Sequence, residues 1–406
     1  MARIVAKFGG TSVADLDRIR AVATRVQELA QGGDEVAVVV SAMAGTTDTL
    51  VGYVKDLAPG LDGREYDTVV SAGEQVSAGL TALALQTLGL RARSFMGWQA
   101  PVNTDQVHGN ARVRGIDTGG IEACLNEGAI AVLAGFQGVG PDRRITTLGR
   151  GGTDTSAVAL AAALRADRCD IFTDVDGVYT ADPRIVAKAH KLDKITYEEM
   201  LEMASVGARV LQTRSVETAM KHRVRVQVLS SLNRSPGTMV VDETEILDKG
   251  IVSAIACSRD EARITLQGLA DRPGVAAAVF GPLADANINV DMIVQSSSHD
   301  GKATDITFTV TRADLDKARA LIEALRAELG IQNVLADDTV AKVSVVGVGM
   351  RSHAGVAKLM FATLAEKGIN IHVISTSEIK VSVLVAEDYV ELAQRALHTA
   401  YGLDAD

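Results

Sequence analysis

Two short segments, far apart in the chain, each combine a glycine pair with an ionisable residue suited to phosphate. Lys7-Phe8-Gly9-Gly10-Thr11-Ser12 follows the apolar run 4–6, and Arg150-Gly151-Gly152-Thr153-Asp154 opens an alanine-rich stretch over 157–164. Each reads as strand or loop, glycine turn and helix start, which turns backbone N–H groups and the positive end of a helix toward a polyphosphate. The first segment is not a Walker A loop, because its lysine precedes the glycines; its plainer reading is a tight strand–helix turn. In the second, the glycines permit close backbone approach and Arg150 suits bidentate binding of carboxylate or phosphate. Asp154 reads either as an N-cap or as part of the chemistry. The pair of segments points to an enzyme that handles a nucleoside triphosphate.

Two further stretches carry groups of the same kind. Asp174, Asp176, Gly177, Tyr179, Asp182 and Arg184 follow the apolar strand end Ile171-Phe172. Asp176-Gly177 alone reads as a turn, whereas Tyr179 and Arg184 suit nucleotide contacts, one by stacking and one by charge. Ser71-Ala72-Gly73-Glu74-Gln75 puts Glu74 at a helix N-terminus. There the helix dipole stabilises its charge with or without a ligand, and the alternative role is pairing with a substrate ammonium.

These groups need a scaffold that gathers distant segments. The run 4–8 reads as a strand, and Leu16, Ile19, Val22, Val26 and Leu29 as the stripe of an amphipathic helix. Residues 36–40 read as a strand buried on both faces. This β-α-β unit predicts a parallel sheet with right-handed crossovers and places 7–12 at its C-terminal edge, where open α/β sheets bind ligands. Further strands are expected over 129–136, 169–173 and 225–229, and helices over 75–88, 154–164 and 210–221.

At 406 residues the chain is too long for one ordinary core. A net charge of −10 argues against nucleic-acid and anionic-membrane partners, while leaving room for a local basic pocket. Cys124, Cys169 and Cys257 are odd in number and widely spaced, which suits a reducing compartment and gives neither a disulfide framework nor a zinc site. The first residues run straight into a strand, so no secretory leader is expected. No apolar run approaches the roughly 20 residues that span a bilayer, and the expected location is the cytoplasm.

After Gly250 the pattern changes to a repeat. Gly268, Gly274, Val275, Phe280, Leu283, Ile288 and Asn289 align with Gly347, Gly355, Val356, Phe361, Leu364, Ile369 and Asn370. Ala318 aligns with Ala393 after a shorter loop. Each copy reads strand, helix, strand, strand, helix, a ferredoxin-like βαββαβ unit short of its last strand. A hairpin is expected at His299-Asp300-Gly301-Lys302 in the first copy, with a tighter turn at Ser377-Glu378 in the second. Asn287, Asn289, Asp291 and Gln295, and Asn370, Ser375 and Ser377, lie where a helix meets the next strand. They read as solvated loop residues or as two matched effector pockets.

Together, segments 7–12, 71–75, 147–154 and 174–184 and the C-terminal repeat resemble the bacterial monofunctional aspartate kinases, in the family's order and over essentially the whole chain. The strings 174–184 and Ser375-Thr376-Ser377-Glu378-Ile379 are the most specific parts. Gly151-Gly152-Thr153 stands where the family more often has Gly-Gly-Ser. The resemblance implies an α/β fold: an amino acid kinase-type, mainly parallel open sheet over 1–245, then ACT domains over 262–335 and 340–406. It implies ATP-dependent phosphorylation of the β-carboxylate of L-aspartate, with Mg²⁺, opening lysine, threonine, methionine and isoleucine synthesis. Lys7 and Asp154 take the catalytic roles, and Thr47, Glu74, Arg150, Gly151, Gly152 and Thr153 the substrate contacts. Nucleotide contacts carry over onto Lys7, Gly9, Gly10, Ser41, Thr173, Asp174, Tyr179, Arg184 and Arg209, with no direct protein ligand to the metal assigned. Effector contacts carry over onto Asp271, Gly274, Asn289, Val290, Asp291 and Gln295, and onto Asn370, Ile371, Ser377 and Glu378, with His372 departing from the usual acidic or amide residue. The implied effectors are lysine and threonine, and the implied assembly is a homo-oligomer through the ACT domains, with or without a separate regulatory subunit. The competing readings are another amino acid kinase relative and a catalytically silent amino-acid sensor.

Overall fold

A computed structural model describes residues 2–57, 60, 62–207, 210–246, 250–297 and 303–404. The chain divides into two compact units: Met1–Val178, Lys191–Ala204 and Arg209–Asp248 form the first, and Tyr179–His190, Ser205–Ala208 and Lys249–Asp406 the second. The stretches 179–190 and 205–208 therefore cluster with the second unit, inside the range 1–245 expected for the first.

The first unit is built on an eight-stranded sheet with Arg3–Phe8 near its centre. Five of its six residues are buried, as expected of an apolar strand covered on both faces. It pairs in parallel with Glu35–Val40 on one side and Arg168–Thr173 on the other. Phe8 is level with Val40 and with Phe172, so three chain segments leave the sheet side by side at its C-terminal edge. Ile130–Ala134 extends this row beyond Glu35–Val40, and Val226–Ser230 extends it beyond Arg168–Thr173. Thr238–Val241 runs antiparallel to Val226–Ser230, so the sheet is mainly rather than wholly parallel. The Phe8 and Phe172 rings stack with centroids 4.6 Å apart, a contact of about 0.5–1.5 kcal/mol beyond burial.

Helix Leu16–Gln31 covers one face through Ile19, Val22, Ala23 and Val26, and Asp15 caps it by accepting from the Arg18 N–H. Helix Gly152–Ala163 is buried nearly all round, matching its run of small apolar residues. It begins two residues earlier than the helix expected over 154–164, because Gly151, at φ 71°, takes the N-cap. Asp154 thus sits inside the first turn and is not the N-cap. Short strands Val113–Ile116, Val102–Thr104, Gln137–Val139 and Ile145–Thr147 form a separate four-stranded sheet that feeds the loop bearing Arg150.

In the second unit, helices Val275–Asp285 and Val356–Glu366 start at equivalent repeat positions, each behind a glycine with positive φ, Gly274 at 92° and Gly355 at 100°. Both repeats share one six-stranded sheet. The last strand that the sequence leaves out of each copy is present, but for the second copy it comes from upstream of the first. Residues 333–337 pair beside 263–267 and complete copy one, while 254–258 pair beside 342–346 and complete copy two. Val252 and Ile255 accordingly lie in the core of copy two, with Ala341, Val343 and Val345. Copy one has its own core around Ile264, Leu266, Ile306 and Phe308. The hairpin expected at 299–302 lies outside the described residues.

Candidate active site

The C-terminal edge of the large sheet brings the two glycine segments together. Lys7 is the second-last residue of Arg3–Phe8, and its Nζ lies 2.6 Å from Asp154 Oδ1 in the first turn of Gly152–Ala163. Both residues are buried, at 8% and 7% exposure, so the pair is shielded from water and from salt screening. Gly9 lies close against this pair, since a Cβ there would lie 3.3 Å from Lys7 Nζ. Gly10 passes as closely to the next segment, where a Cβ would meet the Ala42 carbonyl oxygen at 3.1 Å. Ser41, half-buried, donates its backbone N–H to the Phe8 carbonyl and so continues the same edge.

Glu74 lies one segment further on, in the first turn of helix Ala72–Thr87. It is 3% exposed, and its Oε1 accepts from the Ala42 N–H at 3.0 Å. Its Oε2 is buried with no hydrogen-bond partner among the described residues. Desolvation dominates, and burial pushes the carboxyl up to about 7 despite the backbone donors. A proton or an incoming ammonium would each satisfy that oxygen. Gly73 lets this helix approach, since its Cβ would stand 2.6 Å from Ala42 Cβ. Thr47, half-buried, is in the first turn of Thr46–Leu57, the helix that follows the Ala42 loop.

The loop carrying Arg150 is fixed along its length. The Leu148 N–H donates to the Phe136 carbonyl, the Leu148 carbonyl accepts from Arg214, and a Cβ on Gly151 would collide with the Gln212 side chain. Arg150 is exposed, while Thr153 is buried against Gly135. Arg150 makes no ion pair among the described residues, so its guanidinium is available to a ligand carboxylate. Phe136 was not singled out from sequence; at φ 67° it is a strained aromatic residue packed on Gly152 at the helix start. The only sequence signal for it is the pair of flanking small residues in Gly135-Phe136-Gln137-Gly138.

Comparison with known proteins agrees with this geometry. The amino acid kinase family matches over residues 2–230, and ACT domains match over 263–330 and 343–401. An aspartate kinase of Stutzerimonas stutzeri is 54% identical over 406 residues, covering 100% of this chain and 98% of that protein. The chain belongs to the aspartate kinases of the amino acid kinase family. Crystal structures of E. coli aspartokinase III are similar throughout. Its R-state complex with aspartate and ADP has a TM-score of 0.81 at 29% identity, covering 98% of this chain and 99% of that one. Its T-state complex with lysine and aspartate has a TM-score of 0.77 at 30% identity, covering 98% of each.

Of the other residues singled out for this family, Thr173 and Asp174 lie at the end of Arg168–Thr173, at the same sheet edge as Gly9. Thr173 Oγ1 donates to Asp174 Oδ1 at 3.1 Å, and Asp174 is exposed. Tyr179 and Arg184 belong to the second unit. Arg184 is exposed and its guanidinium binds both oxygens of Asp182, which lowers the Asp182 carboxyl. Arg209 lies outside the described residues.

In the first ACT copy, Asp271 and Gly274 are exposed before the helix, Asn289 and Val290 follow it, and Asp291 opens edge strand Asp291–Ser297, which also carries Gln295. Asp291 is engaged: Lys342 Nζ, itself 4% exposed, lies 2.8 Å from Asp291 Oδ2 and 2.8 Å from Glu261 Oε1. In the second copy, Asn370 and Ile371 precede edge strand Val373–Thr376, and Ser377 and Glu378 form the following turn.

Proposed function

We propose that this chain transfers the γ-phosphoryl group of ATP to the β-carboxylate of L-aspartate, giving 4-phospho-L-aspartate and ADP. The observation that carries the reading is the buried Lys7–Asp154 pair, in which two motifs 147 residues apart meet at the ligand-binding edge of the sheet. A carboxylate acceptor is already ionised at neutral pH, so the step needs no general base. What it needs is two anions held in line and neutralisation of charge on the phosphoryl group in flight. The Lys7 ammonium, aimed by Asp154, supplies that charge, and the Gly9 and Gly10 backbone lets phosphate approach. Glu74 and Arg150 supply the acid and the guanidinium that the acceptor's ammonium and α-carboxylate require. An acceptor with a blocked amino group would leave Glu74 buried and unpaired.

Among the described residues no cluster of three or more His, Cys, Asp or Glu could hold a metal ion. Mg²⁺ would enter on the phosphates, where it would offset their charge, with Asp154 and Asp174 the carboxylates suited to hold it. For regulation, we assign the ACT pair to binding of lysine and threonine, with inhibition strongest when both are present, and to homo-oligomerisation, with or without a separate regulatory subunit. Lysine is supported by the lysine complex of the E. coli enzyme. Among the described residues no helix is long and apolar enough to cross a membrane. Three free cysteines support a cytoplasmic enzyme. The test is aspartate-dependent hydroxamate formation with ATP and Mg²⁺, alone and with lysine, threonine or both. Absence of product with aspartate would refute the reaction, and merely additive inhibition would refute the coupled regulation.

A further inference from the structure

A further buried carboxylate is joined to the segments that carry this site. Asp67, at 0% exposure, is on helix Gly63–Val70, which ends one residue before the helix that carries Glu74. Both of its oxygens are fully used. His108 Nδ1 lies 2.7 Å from Oδ2, the Gly109 N–H donates to both oxygens at 3.0 and 3.1 Å, and Thr147 Oγ1 donates to Oδ1. Thr147 is the last residue of strand Ile145–Thr147, three positions before Arg150, and its carbonyl accepts from Ala111 N–H at 2.9 Å. The helix approaches His108 so closely that a Cβ on Gly63 would stand 2.9 Å from His108 Cβ.

We infer that Asp67 is a positioning residue for acceptor specificity: it ties the segment leading to Glu74 to the strand leading to Arg150, fixing the separation of the two groups that grip the acceptor. The assignment rests on the reading of Glu74 and Arg150 as the aspartate-binding pair. A carboxylate suits the position, because the Gly109 N–H and the Thr147 hydroxyl donate to it and it accepts from His108 in the tautomer that carries its proton on Nδ1. An amide keeps a single acceptor oxygen and would set its NH₂ against His108 or Thr147, forcing a change of tautomer or a turn of the hydroxyl that loosens the tie. Lys7 and the glycines that follow it lie on Arg3–Phe8 and its turn, outside the elements that this tie joins, whereas Asp154 follows Arg150 by four residues. A geometric error in the acceptor grip should therefore fall on the aspartate KM, with or without kcat, and spare the ATP KM.

The test uses the full-length enzyme and steady-state kinetics with aspartate and ATP varied separately, each variant first checked by thermal melt. Asp67→Asn should raise the aspartate KM about tenfold or more while leaving the ATP KM within about twofold. Thr147→Val keeps the volume and removes the donor, and should shift the aspartate KM the same way. Thr147→Ser restores the hydroxyl and should restore the KM, which a role in bulk packing would not predict. If Asp67→Asn does not fold, the Thr147 pair decides alone. An unchanged aspartate KM in Thr147→Val, or equal rises for aspartate and ATP, would overturn the proposal. Wild-type enzyme inactive with aspartate would instead overturn the reaction itself, an outcome read before any variant is compared.

Discussion

Lys7 and Glu74 are both buried ionisable residues, yet the structure treats them differently. Lys7 has its counter-ion in Asp154, whereas one Glu74 oxygen has no hydrogen-bond partner among the described residues. Removing the lysine should act on the transition state: Lys7→Ala is expected to lower kcat roughly 10²-fold or more, measured at saturating ATP and aspartate. A near-wild-type rate would take Lys7 out of the mechanism. Glu74 should reveal itself through pH. Its folded pKa of about 7 lies above its ordinary value of 4.5, so the folded protein binds the proton more tightly than the unfolded chain. The stability it contributes is present in acid and lost as pH rises through that window. Aspartate recognition runs the other way, because an ammonium needs the ionised form. The kcat/KM for aspartate should rise as pH passes about 7, and Glu74→Gln should raise the aspartate KM and flatten that limb. A wild-type profile without an inflection there would refute the assignment. Lys7, Asp154 and Glu74 were legible in the sequence because each sits beside glycines that announce a turn. Asp67 was not, since a lone aspartate inside a helix carries no such mark.

At the scale of elements, the long apolar strands and the strongly patterned helices were readable, with ends displaced by up to three residues. Arg3–Phe8, Glu35–Val40 and Arg168–Thr173 follow the expected runs, and Thr213–His222 starts three residues after and ends one residue after the helix expected over 210–221. The three-residue strands of the smaller sheet were not readable, because alternation over so few residues cannot be told from loop. Helix Thr46–Leu57 was missed although Leu50, Tyr53, Val54 and Leu57 recur at helical spacing, and in the structure it buries none of its residues. Glycine contacts report how tightly these elements are set. Gly135, just after Ile130–Ala134, leaves room for the start of Gly152–Ala163; a Cβ there would stand 2.6 Å from Thr153 Cγ2 and 3.1 Å from the Val40 carbonyl oxygen. Gly135→Ala should push that helix away from the sheet edge, separate Asp154 from Lys7 and cost about 1–3 kcal/mol of stability. Its kcat should fall by about tenfold. The double variant Gly135→Ala/Thr153→Ser removes the obstructing methyl and should recover most of both losses in kcat and thermal-melt assays. Failure to recover would mean that the clash with Val40 dominates.

At the scale of the molecule, the tandem repeat was visible in sequence, but its connectivity was not. A repeat alignment looks for the missing strand downstream of each copy, and strand pairing is decided by space rather than chain order. Residues 254–258 run on into the first strand of copy one, with register shifts between 258 and 263 where the strand passes from one copy to the other. Copy two therefore lacks an edge until a segment some 80 residues upstream supplies it. Without that strand, 340–346 would expose a row of unpaired backbone groups on one side, and Ala341, Val343 and Val345 would lose their packing against Val252 and Ile255. The boundary expected at 340 would thus cut through a folding unit. A fragment spanning 340–404 should be largely unfolded or aggregated, whereas one spanning 250–404 should give a cooperative thermal transition and dispersed amide resonances. Supplying 250–262 as a separate peptide should protect the amides of 342–346 in the shorter fragment. A shorter fragment that melts cooperatively on its own would show that copy two closes its sheet without the borrowed strand.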